Sequence, residues 1–164
     1  MLVEQLLELA ARSGAEVFQS RSLSRPVYFE ANRLKQLESA DSEGTALRLW
    51  KNGCPGLAVA YGPVEAQALV DRAIALSQLN EPEEIELSPA SRLIYPNLGT
   101  AVSVETLVDW GKQAIELVRE QYPEVLCAGG WECESETTRL ITSNGLDCGY
   151  TDTTLSGYLE VEWV

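Results

Sequence analysis

Residues 45–61 read TALRLWKNGCPGLAVAY, two β-rich runs on either side of the pair Asn52-Gly53. An Asn-Gly pair accepts positive φ angles in a tight turn, and the flanking runs carry the leucine, valine and aromatic residues that suit a half-buried strand. We therefore predict an antiparallel hairpin with strands at 45–51 and 57–61.

Similar short runs lie on both sides of this hairpin. The other predicted strands are 15–22, 25–31, 34–39, 124–128, 131–136, 139–143, 146–151 and 154–164. Turns are expected at Asn32-Arg33, at 41–44 and at Asn144-Gly145. The pair Gly129-Gly130 predicts a bulge or a tight bend within the strand-like sequence.

Three segments have the apolar spacing of amphipathic helices. The first follows the amino end and is expected to stop at Ser13-Gly14. The second opens at Pro63, and the third runs from the N-cap Ser103 to Tyr122-Pro123. The packing face predicted for the second helix is Ala66, Leu69, Val70, Ala73, Leu76 and Ser77.

Helices that stand between blocks of strands indicate an α+β fold, with a mostly antiparallel sheet and about three helices. The length of 164 residues fits one domain, 1–164. The proline- and glutamate-rich segment 81–100 is expected to be an extended linker. The order of helix and strands restarts after it, so 1–80 and 101–164 are candidate sub-repeats of a diverged duplication.

The net charge of −13 excludes several classes of partner. An acidic chain without a dense lysine or arginine cluster repels phosphate backbones and anionic lipids, so we expect no direct nucleic-acid or membrane binding. The first residues, MLVEQL, lack the basic start of a secretory signal. We therefore expect a cytoplasmic protein.

Candidate chemistry is sparse because the sequence contains no histidine. This removes the commonest general base and most catalytic zinc sites. Cys54, Cys127, Cys133 and Cys148 show no CxxC pair, so they are expected to be free, buried thiols, and a zinc site made of all four is the less favoured alternative. No catalytic, cofactor-binding or metal-binding residue is predicted in this chain.

Two acidic pairs and the tryptophans leave alternatives open. Glu132 with Glu134, and Glu160 with Glu162, each have the spacing that places two carboxylates on one face of a strand. They are either solvated surface residues, which we favour in an acidic chain, or the two carboxylates of a histidine-free hydrolase. Core or interface packing is the favoured role of the tryptophans, and a binding platform is the alternative. The tryptophans are Trp50, Trp110, Trp131 and Trp163.

A succession of motifs is more specific than any one of them. The motifs are GAEVFQS at 14–20, EANRLKQLES at 30–39, DSEGTALRLW at 41–50, NGCPGLA at 52–58, the helix at 64–79 and NGLDCGYTDT at 144–153. In this order they resemble the amino-terminal domain of the TldD/PmbA family of peptidase-related proteins, also called modulators of DNA gyrase. The GAEV opening is closer to the PmbA type, whose members lack the metal motif.

The resemblance implies a role in an intracellular metalloprotease system in which TldD-type and PmbA-type subunits act together on peptides or small proteins. The family's zinc motif, HExxxH, lies beyond the amino-terminal domain. Without histidine, no metal ligand of the family can be assigned to a position in this chain. Zinc is expected only in a catalytic TldD-type domain or partner, and the strand-like end at 160–164 is what a domain of a longer protein would show.

Two functions from different classes remain after these observations. The first is an accessory domain that shapes a substrate chamber or mediates subunit contacts, with peptide or unfolded protein as ligand. The second is a free-standing protein or peptide interaction module with no link to a protease.

Overall fold

The computed structural model describes residues 2–10, 14–97 and 99–163 of the chain. The helices are α1 (Leu2–Ala10), α2 (Ala66–Ser77) and α3 (Val104–Gln121). The strands are β1 (Gly14–Glu30), β2 (Arg33–Leu37), β3 (Ala40–Lys51), β4 (Cys54–Tyr61), β5 (Ser91–Tyr95), β6 (Val125–Thr142) and β7 (Leu146–Trp163). The predicted α+β class is confirmed.

The strands form a seven-stranded sheet in the order β4-β3-β1-β6-β7-β5, and β2 pairs with β1. The hairpin of β3 and β4 runs from Gly44 opposite Tyr61 to Lys51 opposite Cys54. Its turn has φ angles of 55° at Asn52 and 81° at Gly53, as the Asn-Gly pair predicted.

The strands are longer than predicted. The two runs at 15–22 and 25–31 are one strand, β1, and the last two predicted runs are one strand, β7. The three runs from 124 to 143 likewise join in β6, and the turn expected at 41–44 lies inside β3. Polar residues did not end β1 because the hydroxyl groups of Ser22 and Ser24 donate hydrogen bonds to glutamates on β6.

The linker expected at 81–100 contains a strand. Ser91–Tyr95 forms β5, which pairs in parallel with β7 from Leu146 to Tyr150. The six residues between Pro89 and the following Pro96 keep all their backbone donors, so they can pair where their proline-rich flanks cannot. Leu98 lies outside the described residues.

The helices lie close to their predicted positions. Gly14 begins β1 instead of ending α1, and Ser13 lies outside the described residues. Helix α2 begins at Ala66 after the N-cap Glu65, later than Pro63. Leu76 was assigned to its packing face but is 41% exposed. The N-cap of α3 is Ser103, whose hydroxyl accepts a hydrogen bond from the backbone N–H of Thr106 at 3.2 Å.

The chain divides into two compact units. Unit 1 contains Met1–Arg21, Ser42–Pro96 and Thr137–Thr151, and unit 2 contains Ser22–Asp41, Asn97–Glu136 and Asp152–Val164. The two sub-repeats inferred from the sequence remain a prediction.

Each unit has its own hydrophobic core. In unit 1, α1 and α2 bury apolar side chains against β1, β3 and β4, among them Leu6, Leu47, Leu49, Leu69 and Val70. In unit 2, α3 packs on β1 and β6 with a core that contains Val27, Phe29, Leu107, Ile115, Val125, Cys127 and Cys133. The strands of unit 1 therefore pack against α1 and α2, and those of unit 2 pack against α3.

Candidate functional site

The second half of β7, in unit 2, is a free strand edge. Strand β5 covers only Leu146 to Tyr150 of β7, and in the described part of the chain no strand pairs with the outer side of residues 152–163. The unpaired N–H and C=O groups of such an edge are a template for another extended chain.

Of the usual protections against strand addition, this edge carries only the charges of Glu160 and Glu162. Residues 153–163 contain no proline, lysine or arginine. Their apolar side chains are exposed: Leu155 by 49%, Tyr158 by 54%, Val161 by 46% and Trp163 by 67%. Natural edges are commonly blocked by proline, lysine or a bulge, so an unblocked apolar edge indicates a surface that takes up a partner.

Two glycines show which side each residue of the edge faces. A Cβ at Gly157 would lie 2.8 Å from Cδ1 of Trp131, and a Cβ at Gly130 would lie 2.8 Å from Cε1 of Tyr158. Because successive side chains of a strand point to opposite faces, odd-numbered residues from 155 to 163 share the face of Trp131, and even-numbered residues share the face of Tyr158. At the Gly129-Gly130 pair the strands approach closely, since a Cβ at Gly129 would lie 2.6 Å from the carbonyl oxygen of Tyr158. The bulge or tight bend expected there stays a prediction.

An apolar groove borders the odd face of the edge. Its volume is about 440 Å³, and Trp110 of α3, Trp131 of β6 and residues 155–159 of β7 line it. Phe29 holds the indole of Trp131 in an edge-to-face contact, with ring centroids 5.5 Å apart. Gly111 allows α3 to lie close to the ring of Phe29, because a Cβ at Gly111 would be 2.3 Å from Cε2 of Phe29. The indole of Trp131 is therefore held in place before any ligand arrives.

An acidic groove of about 420 Å³ borders the even face. It is lined by Glu30, Ala31, Leu126, Cys127, Ala128, Glu160, Val161 and Glu162. The Lys35 ammonium lies 2.9 Å from the carboxylate of Glu30 and lowers the pKa of that carboxyl group. Among the described residues, none forms an ion pair with Glu160 or Glu162, so these two carboxylates leave the groove negative.

The other acidic pair, Glu132 and Glu134, has local partners. Each accepts a hydrogen bond from a serine hydroxyl of β1, Glu132 from Ser24 and Glu134 from Ser22. Nearby, the pKa of Tyr28 is raised by desolvation and then by the carboxylates of Glu38 and Glu132. Both carboxylates of this pair are therefore hydrogen-bonded to neighbouring hydroxyl groups.

The cysteines occupy separate places. Cys127 and Cys133 are free and buried in the core of unit 2, whereas Cys54 and Cys148 are free and half-buried in unit 1. The thiol of Cys133 accepts a hydrogen bond from the backbone N–H of Val102. Over residues 2–10, 14–97 and 99–163, no group of three cysteine, aspartate or glutamate side chains could hold a metal ion.

The tryptophans have different surroundings. Trp50 is buried in unit 1 and donates a hydrogen bond from its indole N–H to Glu83 at 2.7 Å. Trp163 packs edge-on against Tyr122 in unit 2. Trp110 and Trp131, which are on different elements, both line the apolar groove. The alternation of apolar and acidic residues in 159–162 was the sequence signal of this edge.

Within the described segments, no helix has the length and apolar character that crossing a membrane requires.

Comparison with known proteins identifies relatives of this fold. Residues 15–77 match the family described as PmbA/TldA metallopeptidase domain 1. TldE from Thermococcus kodakarensis has a similar structure, with a TM-score of 0.83 at 20% identity over 100% of this chain and 40% of its own. No curated protein gave a match.

Two other solved structures share the fold. A proposed modulator of DNA gyrase from Thermotoga maritima gives a TM-score of 0.70 at 12% identity, over 99% of this chain and 43% of its own. Another from Bacteroides thetaiotaomicron gives a TM-score of 0.77 at 15% identity, over 99% of this chain and 40% of its own. The chain thus spans about two fifths of the length of these structures.

Proposed function

We propose that this chain is an amino-terminal domain of the TldD/PmbA family and a non-catalytic part of an intracellular metalloprotease system, since residues 15–77 match the first domain of the PmbA/TldA metallopeptidases. In this system it contributes to the substrate chamber or to subunit assembly, and the substrates are peptides or small proteins. The match to the first domain of PmbA/TldA metallopeptidases is the observation that carries the proposal.

The residues of this chain do not fit a zinc centre. The sequence has no histidine, and two of its four cysteines are buried in the apolar core of unit 2. Zinc in proteins is held by a close set of thiolate, imidazole or carboxylate ligands, and the described residues offer no such set. We therefore assign the metal to a TldD-type domain or partner subunit.

The free edge of β7 is the feature that suits the handling of substrate. A protein segment that reaches a protease must be extended, and an extended segment can add to a sheet edge through backbone hydrogen bonds. Backbone recognition is tolerant of sequence, because every residue except proline carries the same donor and acceptor. Such an edge would hold an extended substrate while another domain cleaves it.

Mixing experiments test the proposal. The purified chain is combined with a TldD-type protein from the same source, with and without zinc, and both co-elution and cleavage of an unstructured peptide are followed. We expect co-elution or faster cleavage in the mixture, and no cleavage by this chain alone. Zinc-dependent cleavage by this chain alone would contradict the proposal, and so would two folded proteins that neither associate nor affect each other.

The second candidate function is a peptide or protein interaction module with no link to a protease. The exposed apolar edge of β7 favours it, since such an edge can bind a partner without any enzyme. The same mixing experiment separates the two. A chain that binds extended peptides but leaves a TldD-type protein unaffected in elution and in cleavage would favour the interaction module.

A further inference from the structure

We propose that the free edge of β7 selects extended peptides in which apolar and basic side chains alternate. This inference rests on the proposed role of the domain in handling peptides, and it adds a class of ligand. It comes from the different chemistry of the two grooves that border one strand.

The first step is the geometry of strand addition. A peptide that pairs with residues 154–163 continues the sheet, so its side chains point alternately to the two faces. One set of alternate side chains lies over the face of Trp131, and the other set lies over the face of Tyr158. The two sets therefore meet two different surfaces.

The odd face favours apolar side chains. The indoles of Trp110 and Trp131 and the side chains of Leu155 and Leu159 form its groove. Large apolar side chains of a peptide would remove these surfaces from water, and no charged side chain lines this groove. A lysine or aspartate placed here would lose hydration without gaining a partner.

The even face favours basic side chains. Glu160 and Glu162 lie two residues apart on the edge strand, and their groove has no cationic lining residue. Lysine or arginine side chains on a paired peptide would lie opposite these carboxylates, and opposite charges on neighbouring strands attract. The net charge of −13 would also speed the approach of a cationic peptide.

The same charges disfavour a second copy of this chain as the occupant. Two β7 edges in antiparallel contact would bring the acidic pairs of both copies onto one sheet, in chains that each carry a net charge of −13. Like charges on adjacent strands destabilise the pairing. A peptide with alternating apolar and basic side chains can place apolar groups in the apolar groove and cations beside the acidic groove. A second acidic edge can contact only the apolar groove favourably.

Binding of four fluorescent nine-residue peptides to the folded chain tests the selectivity. They are an alternating Leu/Lys peptide, an alternating Leu/Glu peptide, a Leu/Lys peptide with the same composition in two blocks, and the alternating Leu/Lys peptide with N-methyl groups on alternate residues. We expect the first to bind at least tenfold more tightly than each of the others, by fluorescence anisotropy. Equal affinity of the block peptide or of the N-methylated peptide would overturn the proposal.

Two double variants locate the acidic side. Glu160→Gln with Glu162→Gln is expected to weaken binding of the alternating Leu/Lys peptide at least fivefold. Glu84→Gln with Glu86→Gln removes the same charge from exposed loop positions and should change the affinity less than twofold. Equal losses in the two double variants would show attraction by net charge alone and would overturn the proposal.

The partner assay distinguishes failure of this inference from failure of the proposed function. Peptide binding is measured on this chain alone, whereas co-elution and cleavage need the TldD-type protein. Association with that protein, without any preference among the four peptides, would overturn the selectivity and leave the accessory role intact. Sedimentation showing a dimer that the alternating peptide cannot dissociate would identify a second copy as the occupant and would also overturn the inference.

Discussion

Gly56 of β4 lies directly against the backbone of Ala73 in α2. A Cβ at Gly56 would be 2.0 Å from the carbonyl oxygen of Ala73 and 2.8 Å from the backbone nitrogen of Ser77. Neither atom can move aside as a flexible side chain could, because both belong to the helix backbone. The missing side chain therefore sets how closely α2 packs on the sheet of unit 1.

We predict that Gly56→Ala destabilises the protein by about 3 kcal/mol, at the upper end of the usual cost of overpacking. Urea unfolding followed by circular dichroism measures the change. Gly44→Ala, in the partner strand β3, is the matched control, since its Cβ would meet only Tyr61 at an ordinary 3.7 Å. The control should stay within about 0.5 kcal/mol of wild type. Equal stability of the two variants would contradict the packing argument.

Thr45 provides a second prediction in β3. Its side chain is 1% exposed, and its hydroxyl has no hydrogen-bond partner among the described residues. Thr45→Val replaces an unsatisfied hydroxyl with a methyl group, so we expect stabilisation by about 1 kcal/mol. Thr142→Val is the control, because that buried hydroxyl accepts a hydrogen bond from Leu146 N–H at 3.2 Å. The control variant should be destabilised by about 1 kcal/mol. Stabilisation by both substitutions would contradict the idea that the unpaired hydroxyl of Thr45 is the cause.

Local signals in the sequence were sufficient for the turns and helix ends. Asn52-Gly53 predicted the hairpin because only a few residue types accept its positive φ angles, and Ser103 predicted the start of α3 because its hydroxyl caps the first turn. The length of β1 was not predictable in this way. An interruption was expected at 23–24, whereas Ser22 and Ser24 both donate hydrogen bonds to glutamates on β6, more than 100 residues away in the sequence.

The candidate site depends on non-local pairing and was therefore missed. The edge of β7 is free because β5 stops at Tyr95, and nothing in the sequence of β7 records where its neighbour ends. Likewise, the sequence did not indicate that Trp110 and Trp131 line one groove, since one lies on a helix and the other on a strand. Sequence did predict the acidic pair Glu160 and Glu162 on one face, but not the apolar groove on the other face.

The ion-pair network of unit 1 gives a prediction about pH. The guanidinium of Arg139 donates two hydrogen bonds to Asp147, at 2.9 and 3.3 Å, and one to Glu4 at 2.8 Å. These contacts lower the pKa of Asp147 and that of Glu4. In the unfolded protein both carboxyl groups titrate near pH 4. Their contribution to the free energy of unfolding is therefore complete above about pH 5, and it is lost as the pH falls through their lower pKa values in the folded protein.

We therefore expect Arg139→Met to cost about 1 kcal/mol at pH 7 and much less at pH 2.5. Urea unfolding at a series of pH values measures the difference from wild type. Arg72→Met removes the same charge from an exposed position of α2 and should show no such pH dependence. A loss in Arg139→Met that is the same at both pH values would show that packing of the side chain, not its charge, is responsible.

The last prediction concerns the first turn of α3. The hydroxyl of Ser103 accepts a hydrogen bond from the backbone N–H of Thr106. This N–H is one of the four at the start of a helix that have no partner within the helix. Ser103→Ala should cost about 1 kcal/mol in urea unfolding, whereas Ser103→Asp should keep the cap and stay close to wild type. An equal loss in both variants would contradict capping as the cause. Because Trp110 is two turns further along α3, the alanine variant should still bind the alternating Leu/Lys peptide with wild-type affinity once it is folded.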